Sequence, residues 1–338
     1  MTEARDPVRL GIIGVGAISQ VVHLPIFAER KDVDLVALAD ADVHKAETLS
    51  RRFGVPLVMG ADDLLDFDEI DAVVICTPNA MHEEMATAAL ESGKHVLLER
   101  PAAATSKGVV RVLAAAERAS RVLTIGLPHR YRPEAIALRS FVEGGELGDL
   151  YSMRGSWLTR SMPMSRSTWR RDPGVAGGGA LVDLGIPALD LSMWIVGFPT
   201  AKRVSCVVAS GDGEVEHSAT LMIETTEGMA FSLEVTNRLF AGEDRYYVRV
   251  MGSEGSGSLP PLEVYKQLGG RPIEVTPRQP LPRGRENAYM NAYRRLLDHF
   301  VRCVSGVSTT SLPTEQVHVM EIIEAAYRSA ESGREVEV

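Results

Sequence analysis

The sequence predicts a two-domain α/β protein, with a doubly wound parallel sheet in residues 1–127 and an α+β domain on a mostly antiparallel, open-faced sheet in residues 128–338. Two observations support this prediction. The 338 residues exceed the roughly 250–300 at which a single hydrophobic core stops growing. The apolar pattern also changes near residue 127, from short strands that alternate with helices to longer strands with few helices between them.

Six short apolar runs between residues 8 and 126 predict the strands of the first domain: VRLGII, VDLVALAD, VPLVM, IDAVVICT, KHVLLE and RVLTIG. Segments with apolar residues at helical spacing separate these runs, at residues 17–30, 41–53, 80–93 and 105–120. The core-facing residues expected in the last helix are Val109, Val110, Val112 and Leu113. This alternation is typical of parallel βαβ units.

In the second domain, period-two alternation predicts five longer strands, within residues 147–158, 201–210, 217–226, 229–239 and 245–252. Helical patterns follow at residues 179–196, 286–304 and 314–332. We interpret the segment GSEGSGS at 252–258 as a flexible turn. Because antiparallel sheets often leave one face to solvent, we expect an open face here.

Composition limits the classes of partner. The chain has 36 Lys and Arg against 45 Asp and Glu, a net charge of −9, which does not favour a nucleic-acid binder. We find neither a signal-peptide pattern nor an apolar run near the ~20 residues that cross a membrane. The three cysteines are widely spaced and predict neither disulfides nor a metal site. We expect a cytoplasmic protein with a small-molecule partner.

Three glycines, Gly11, Gly14 and Gly16, lie in the segment GIIGVGAIS, directly after the first predicted strand and at the start of the first predicted helix. Glycines in this place permit a tight turn and let the backbone and the helix N-terminus approach a pyrophosphate. Ser19 replaces the third glycine of the usual fingerprint. The alternative is a glycine turn without a ligand. The context favours a Rossmann dinucleotide site formed by Gly14, Gly16, Ala17 and Ile18.

Asp40 ends the second predicted strand, 24 positions after Gly16. This is near the roughly 20-residue spacing at which an acidic residue accepts the ribose hydroxyls of NAD. Asp42 adds a second negative charge, and two carboxylates would repel the 2′-phosphate of NADP. We therefore predict NAD(H) rather than NADP(H) as the cofactor. The alternative is that Asp40 only caps a loop.

Further motifs follow the glycine turn in a fixed order. They are HLPIF, VVICTPNAMHEEMATAALESGKHVLLERP, HRYRP and WRRDPGVAGGGALVDLGIPALDL, and with the turn they span residues 8–200. On these motifs the chain resembles the glucose-fructose oxidoreductase / inositol dehydrogenase (Gfo/Idh/MocA) family of sugar and polyol oxidoreductases. The resemblance implies that the cofactor also lies against Thr77, Pro78, Asn79, His82, Glu99 and Arg100.

The resemblance also marks two departures where the family carries its chemistry. Arg100 stands where the family usually has a lysine that contacts the cofactor and the reacting hydroxyl, and Pro187 stands where it has a proton-transferring histidine or tyrosine. Arginine does not lose its proton near neutral pH, and proline has no side-chain donor or acceptor. We therefore consider Arg100, Asp183 and His129 the candidate catalytic residues. The alternatives are that His129 is structural and that Asp183 only orients Arg100.

Three residues are candidates for binding the substrate: Tyr131, Trp169 and Arg170. The last two lie in the segment SMPMSRSTWRR at 161–171, which we interpret as an active-site loop whose arginines, Arg166 among them, could meet an anionic group. The alternative is a solvated basic loop. Arg130 and Arg154 are weaker candidates.

The sequence therefore predicts an NAD(H)-dependent oxidoreductase that acts on a sugar, a cyclitol or a related hydroxyl or carbonyl compound. One alternative keeps NAD tightly bound for net redox-neutral chemistry of the lyase, epimerase or glycosidase type. Another is an NAD(H)- or sugar-binding protein without catalysis. Family members are commonly oligomers, so we also expect a homodimer or homotetramer formed through the C-terminal sheet.

Overall fold

The computed structural model describes residues 6–161, 168–210, 215–278 and 287–338. The chain forms two compact units. The first contains Met1–Pro128 and Tyr289–Thr314, and the second contains His129–Ala288 and Glu315–Val338. The return of residues 289–314 to the first unit is a tertiary feature that a single boundary in the sequence does not describe.

The first unit is built on a six-stranded parallel sheet in the order β3-β2-β1-β4-β5-β6. Its strands are β1 (Val8–Ile13), β2 (Val33–Ala39), β3 (Leu57–Val58), β4 (Ala72–Ile75), β5 (His95–Leu98) and β6 (Leu123–Ile125). The central strand β4 is buried along its whole length, as expected where helices cover both faces of a parallel sheet. The predicted doubly wound sheet is confirmed, with the strand order of a Rossmann domain.

Five helices connect these strands: α1 (Leu24–Ala28), α2 (Val43–Phe53), α3 (Ala61–Asp66), α4 (His82–Glu91) and α5 (Ser106–Ala119). A π-helical turn, Ser19–His23, precedes α1, and a 3₁₀ turn, Asn79–Met81, precedes α4. Asp42 and Thr105 cap α2 and α5, because each side chain accepts a hydrogen bond from a backbone N–H three residues on. One expectation is wrong: Val110 is 50% exposed, because it lies off the buried stripe of α5.

The second unit contains a nine-stranded sheet in the order β14-β13-β12-β11-β7-β10-β9-β8-β15. Its strands are β7 (Leu150–Arg160), β8 (Ala201–Ser210), β9 (Glu216–Thr225), β10 (Ala230–Leu239), β11 (Arg245–Gly252), β12 (Gly255–Leu259), β13 (Glu263–Leu268), β14 (Arg271–Glu274) and β15 (Val336–Glu337). All pairs are antiparallel except β7 with β10. The predicted mostly antiparallel sheet is confirmed. The flexible turn predicted at 252–258 is wrong, since its second half pairs as β12.

The remaining helices are α6 (Pro133–Glu143), α7 (Pro173–Ala176), α8 (Ile186–Ile195), α9 (Ala288–Val304) and α10 (Glu315–Ser332). A second π-helical turn, Leu181–Gly185, leads into α8. The helical segment Pro173–Ile195 is long and apolar enough to cross a membrane, but 72% of its most apolar window is buried within the protein. A core helix of a globular protein has the same properties.

Helices α8 and α10 pack on one face of this sheet, against β7 and β8. On the other face, Arg154 lies opposite Arg249, and Ser232 lies opposite Met222. Val207 is 74% exposed. Charged, hydroxyl and apolar side chains therefore lie together on the open face.

Candidate functional site

The glycine turn after β1 has the geometry that a dinucleotide requires. Gly14 has a φ of +88°, and a Cβ there would lie 2.7 Å from the carbonyl carbon and oxygen of Cys76, so only glycine fits. A Cβ at Gly16 would meet no atom within 4 Å, so the backbone faces open space at this point. The Ser19 hydroxyl donates to the Gly14 carbonyl at 2.6 Å and fixes the turn from inside. Ala17 is exposed and Ile18 is half-buried at the rim.

Asp40 lies at the end of β2, beside the glycine turn. Its Oδ2 accepts from the Val15 N–H at 2.8 Å, which ties the acid to the turn. Its Oδ1 accepts from the Asp42 N–H at 2.9 Å and from the Lys45 Nζ at 2.8 Å. Lys45 was missed by the sequence analysis, although its position in the first turn of α2 could have indicated a cation beside this acid.

The segment Thr77–Asn79 follows β4, the neighbour of β1 in the sheet. Among the described residues, the buried Thr77 hydroxyl has no hydrogen-bond partner. The nearly fully buried His82 has one ring nitrogen 2.7 Å from the Pro101 carbonyl and the other 2.9 Å from the Thr77 carbonyl. Burial lowers the pKa of His82, although the two carbonyls oppose that shift. His82 therefore fixes this segment to the turn after β5, and cofactor contact by its ring stays a prediction.

Glu99, at the end of β5, is held by two residues that the sequence analysis missed. His23 Nε2 lies 2.8 Å from Glu99 Oε1, and the Tyr293 hydroxyl on α9 donates to the same oxygen at 3.1 Å. Burial alone would lower the pKa of His23, but the Cys76 sulfur and then Glu99 outweigh it and raise the pKa to about 10. Burial alone would raise the pKa of Glu99, but His23 and Arg100 lower it. The pair is thus charged, and it anchors the chain next to Arg100.

These observations fit NAD. The open space at Gly16 leaves room for a pyrophosphate, and Asp40 offers carboxylate oxygens to the ribose hydroxyls. The Thr77 hydroxyl is buried without a hydrogen-bond partner among the described residues, which costs free energy unless a ligand accepts from it. The residues whose geometry suits the cofactor are Gly14, Gly16, Asp40 and Thr77. Contact by Ala17, Ile18, Pro78 and Asn79 stays a prediction.

The glycine run Gly177–Gly179 in the second unit is explained by packing. Both carboxylate oxygens of the buried Glu216 accept from the Gly179 N–H at 2.9 Å, and Oε1 also accepts from the Leu181 N–H at 2.8 Å. The Tyr327 hydroxyl donates to the same oxygen at 2.9 Å. Glu216 therefore fixes the start of the π-helical turn that carries Asp183. Neither Glu216 nor Tyr327 has a local sequence signal that could have identified it.

Asp183 is half-buried within the π-helical turn, and its N–H donates to the Gly179 carbonyl at 2.9 Å. Pro187 is buried in the first turn of α8. Because proline has no N–H, Pro187 cannot donate to the carbonyl of Asp183 four residues before it. In this chain, the position at which the family has its histidine or tyrosine is therefore a buried proline in the first turn of α8.

An aromatic cluster surrounds His129, which is 6% exposed. The rings of His129 and Trp157 meet edge to face with centroids 4.4 Å apart, and Trp157 stacks on Tyr246 at 5.6 Å. The guanidinium of Arg132 lies over the Tyr246 ring, 4.6 Å from its centroid. Trp157 and Tyr246 face each other on β7 and β11. The sequence analysis missed both, because a single aromatic residue in a strand is usually core.

The remaining candidate residues of the second unit are the arginines and aromatic residues that the sequence analysis named. Arg130 forms ion pairs with the buried Asp190 and with Glu315, which indicates a structural role. Arg170 lies over the ring of its neighbour Trp169, 4.3 Å from the centroid, in the 3₁₀ turn Thr168–Arg171. Tyr131 is half-buried, Arg154 is on the open face of the sheet, and Arg166 lies outside the described residues.

In the described ranges, no group of three or more His, Cys, Asp or Glu side chains is arranged to hold a metal ion. Fold and cofactor turn together define a Rossmann-type NAD-binding protein. Comparison with known proteins gives the family. Residues 8–127 match the NAD-binding Rossmann fold of the Gfo/Idh/MocA oxidoreductase family, and residues 139–338 match its C-terminal alpha/beta domain. The chain belongs to this family, as its motifs indicated.

Among its relatives, D-glucoside 3-dehydrogenase of Escherichia coli is 29% identical, with 98% of each chain covered. A dTDP-3,4-didehydro-2,6-dideoxy-alpha-D-glucose 3-reductase of Saccharopolyspora spinosa is 30% identical over 66% of this chain and 67% of its own. The crystal structure of GenD2 from gentamicin A biosynthesis, in complex with NAD, has a TM-score of 0.85 and 29% identity, and covers 99% of this chain and 97% of its own. The family is one of NAD-binding oxidoreductases that includes sugar dehydrogenases.

Proposed function

We propose that this protein is an NAD-dependent dehydrogenase or reductase that interconverts a hydroxyl and a carbonyl group of a sugar or a closely related polyol. The observation that carries the proposal is the cofactor turn, in which Gly14, Gly16 and Asp40 lie together in a fold whose relatives act on sugars. Trp157 supports a sugar substrate, because flat aromatic faces pack well against the apolar face of a pyranose ring.

In the oxidising direction, a bound NAD⁺ would supply the acceptor for the hydride on the carbon that carries the hydroxyl. Arg100 donates hydrogen bonds to the substrate oxygen and stabilises the negative charge that develops there, as a fixed cation. The proton of the hydroxyl goes to His129 or Asp183, because Arg100 stays protonated and Pro187 has no side-chain acceptor. Glu99, held by His23 and Tyr293, fixes the backbone next to Arg100. Tyr131, Trp169 and Arg170 contact other parts of the substrate.

Net redox-neutral chemistry on a sugar is the second candidate function. It is retained because Pro187 stands where the family usually has its proton-transferring side chain; transient oxidation by NAD would still require another group to take the hydroxyl proton. Two further expectations accompany either function: a cytoplasmic location, and a homodimer or homotetramer formed through the open face of the sheet, on which Arg154 and Arg249 lie opposite each other.

Absorbance at about 340 nm separates these functions. The purified protein is mixed with NAD⁺ and a series of glucosides, free hexoses and inositols, and NADH formation is followed. Steady NADH production with a sugar supports the proposed dehydrogenase. A bound cofactor that does not exchange, together with a changed sugar and no net NADH, supports the redox-neutral function. Sugar binding without either change would contradict both and leave a binding protein.

A further inference from the structure

Cys76 directly follows β4 and lies beside the ring of His23, with which its sulfur interacts electrostatically. It is partly exposed, whereas the other two cysteines of the chain, Cys206 and Cys303, are buried. Burial raises the pKa of both of these buried thiols, that of Cys206 to about 11. Of the three cysteines, Cys76 is therefore the one most open to a small reagent.

The buried His23 ring directs a hydrogen-bond donor into the surroundings of Cys76. Its Nε2 is 2.8 Å from Glu99 Oε1, whereas its Nδ1 is buried and has no hydrogen-bond partner among the described residues. Burial opposes a charge on this ring, but the Cys76 sulfur and then Glu99 raise its pKa to about 10. At neutral pH the ring is therefore an imidazolium, and its Nδ1 carries a hydrogen. A buried N–H without an acceptor costs free energy, so an acceptor placed within its reach is stabilised.

Cysteines that react with peroxides are partly exposed and lie beside a cation, which is often a protonated histidine. Cys76 has both properties. Cys303 is the contrasting case, because it is buried although its Sγ lies 3.6 Å from His299 Nε2. Burial lowers the pKa of His299 below 6.5, so that ring is neutral at pH 7 and offers no cation.

The backbone of Cys76 packs against the cofactor turn. Its N–H donates to the Ile13 carbonyl at 2.8 Å, and its carbonyl carbon and oxygen lie 2.7 Å from the position of a Cβ on Gly14. Protein interiors are closely packed, so an atom added to the Cys76 side chain displaces its neighbours. Oxidation of Cys76 should therefore disturb the glycine turn that receives the pyrophosphate.

We propose that Cys76 is an oxidation site, at which a hydroperoxide converts the thiol to a sulfenic acid that accepts a hydrogen bond from His23 Nδ1 and weakens NAD binding. The sulfur attacks one peroxide oxygen, so that an S–O bond forms and the O–O bond breaks. Sulfur loses two electrons, and with hydrogen peroxide the departing hydroxide takes the thiol proton and leaves as water. The site goes beyond the proposed sugar chemistry and does not depend on which sugar is the substrate.

Treatment of the full chain with hydrogen peroxide, followed by dimedone to trap sulfenic acid, tests the site. Peptide mass spectrometry should find the dimedone adduct at Cys76 before any adduct at Cys206 or Cys303. In His23→Asn the rate of labelling at Cys76 should fall about tenfold, because the neighbouring cation is lost. The matched control is Tyr293→Phe, which removes a donor to Glu99, leaves His23 in place and should keep the labelling rate.

Titration calorimetry before and after peroxide measures the effect on the cofactor. Oxidation should raise the Kd of NAD⁺ at least about tenfold in the unmodified protein, while Cys76→Ser should keep the same Kd with and without peroxide. An equal rise in Cys76→Ser would overturn the proposal, because the damage would then lie at another residue. An unchanged Kd in protein that carries the oxidised Cys76 would overturn it as well.

The comparison among the three cysteines keeps the test decisive if His23→Asn fails to fold, since it needs no variant. Labelling of Cys76 no faster than that of Cys206 and Cys303 would overturn the site. An unchanged labelling rate in a folded His23→Asn variant would overturn the part assigned to His23. Failure of the proposed sugar oxidation would leave the labelling and the NAD⁺ binding results unchanged.

Discussion

Alanine substitutions along Gly177–Gly179 should have three clearly different costs, because the three glycines have different surroundings. Gly177 has a φ of +76° and nothing within 4 Å of an added Cβ. Its alanine variant meets only the penalty of a left-handed backbone, about 1–2 kcal/mol. Gly179 is the opposite case, since its Cβ would lie 1.9 Å from the backbone oxygen of Glu216 and 2.8 Å from its carbon and nitrogen.

No side-chain rotation relieves the contact at Gly179, so the two backbones must separate. Separation breaks the bonds from the Gly179 and Leu181 N–H groups to the Glu216 carboxylate. Hydrogen bonds to a charged group contribute about 1.5–3 kcal/mol each, so Gly179→Ala should cost about 3–6 kcal/mol. Gly178→Ala should lie between the other two variants: its φ of +154° strains an alanine backbone, but the added Cβ meets the Tyr327 hydroxyl, the end of a side chain that can move.

Urea unfolding of the three variants measures these costs as changes in the free energy of unfolding. The control is NAD⁺ binding, which depends on the first unit and should be retained under native conditions. A further check is Tyr327→Ala, in whose background Gly178→Ala should cost less than in the unmodified protein. The packing explanation fails if Gly179→Ala is within about 1 kcal/mol of Gly177→Ala.

Two other predictions concern charge and pH. Arg100→Ala should lower kcat/KM across the whole pH range, because the guanidinium charge does not titrate. His129→Gln or Asp183→Asn should instead abolish one limb of the pH–rate profile, in the variant that removes the base. Unchanged pH–rate profiles in both of these variants would assign proton transfer to another residue. The pKa of folded His23, raised from 6.5 to about 10, implies stabilisation that is complete below about pH 6.5 and is lost as the pH rises toward 10. The difference in unfolding free energy between the unmodified protein and His23→Asn, measured from pH 6 to 10, should shrink accordingly, and a constant difference would contradict the charged pair.

Features carried by local sequence signals were predictable. The parallel strands appear as continuous apolar runs, the glycine turn as a fixed spacing after the first of them, and α2 and α5 as amphipathic stripes with side-chain caps. Gly14 could be identified as essential because a tight turn after a strand needs a positive φ. These elements depend on neighbours within a few residues, which a single sequence displays directly.

Features that depend on distant partners were not predictable. Glu99 meets His23 across 76 residues and Tyr293 across 194, and no spacing in the sequence links them. The helix α6 was missed although Pro133 occupies its first turn, because the motif HRYRP was considered for chemistry rather than as a helix start. The strands β12 (GSGSL) and β14 (RPIE) have weak strand propensity, and their pairing with β11 and β13 outweighs it.

Pro187, one of the two departures from the family pattern, lies in the helical segment whose first turn Glu216 fixes. Pro187 has no N–H that could donate to the Asp183 carbonyl four residues before it. On its N-terminal side the turn that carries Asp183 is held by Glu216, which accepts from the Gly179 and Leu181 N–H groups. Glu216→Gln keeps the size and shape of the side chain, but an amide NH₂ then faces one of these backbone N–H donors. The turn should therefore loosen without the creation of a cavity.

Glu216→Gln should therefore lower kcat more than it raises KM, if Asp183 takes the substrate proton. It should also shift or broaden the pH limb that Asp183→Asn abolishes, because a loosened turn changes the surroundings of that carboxylate. Tyr327→Phe is the matched control, since it removes one bond to Glu216 and leaves both backbone bonds in place. A loss of stability with an unchanged pH profile would make Glu216 purely structural. Together with an unchanged profile in Asp183→Asn, it would leave His129 as the base.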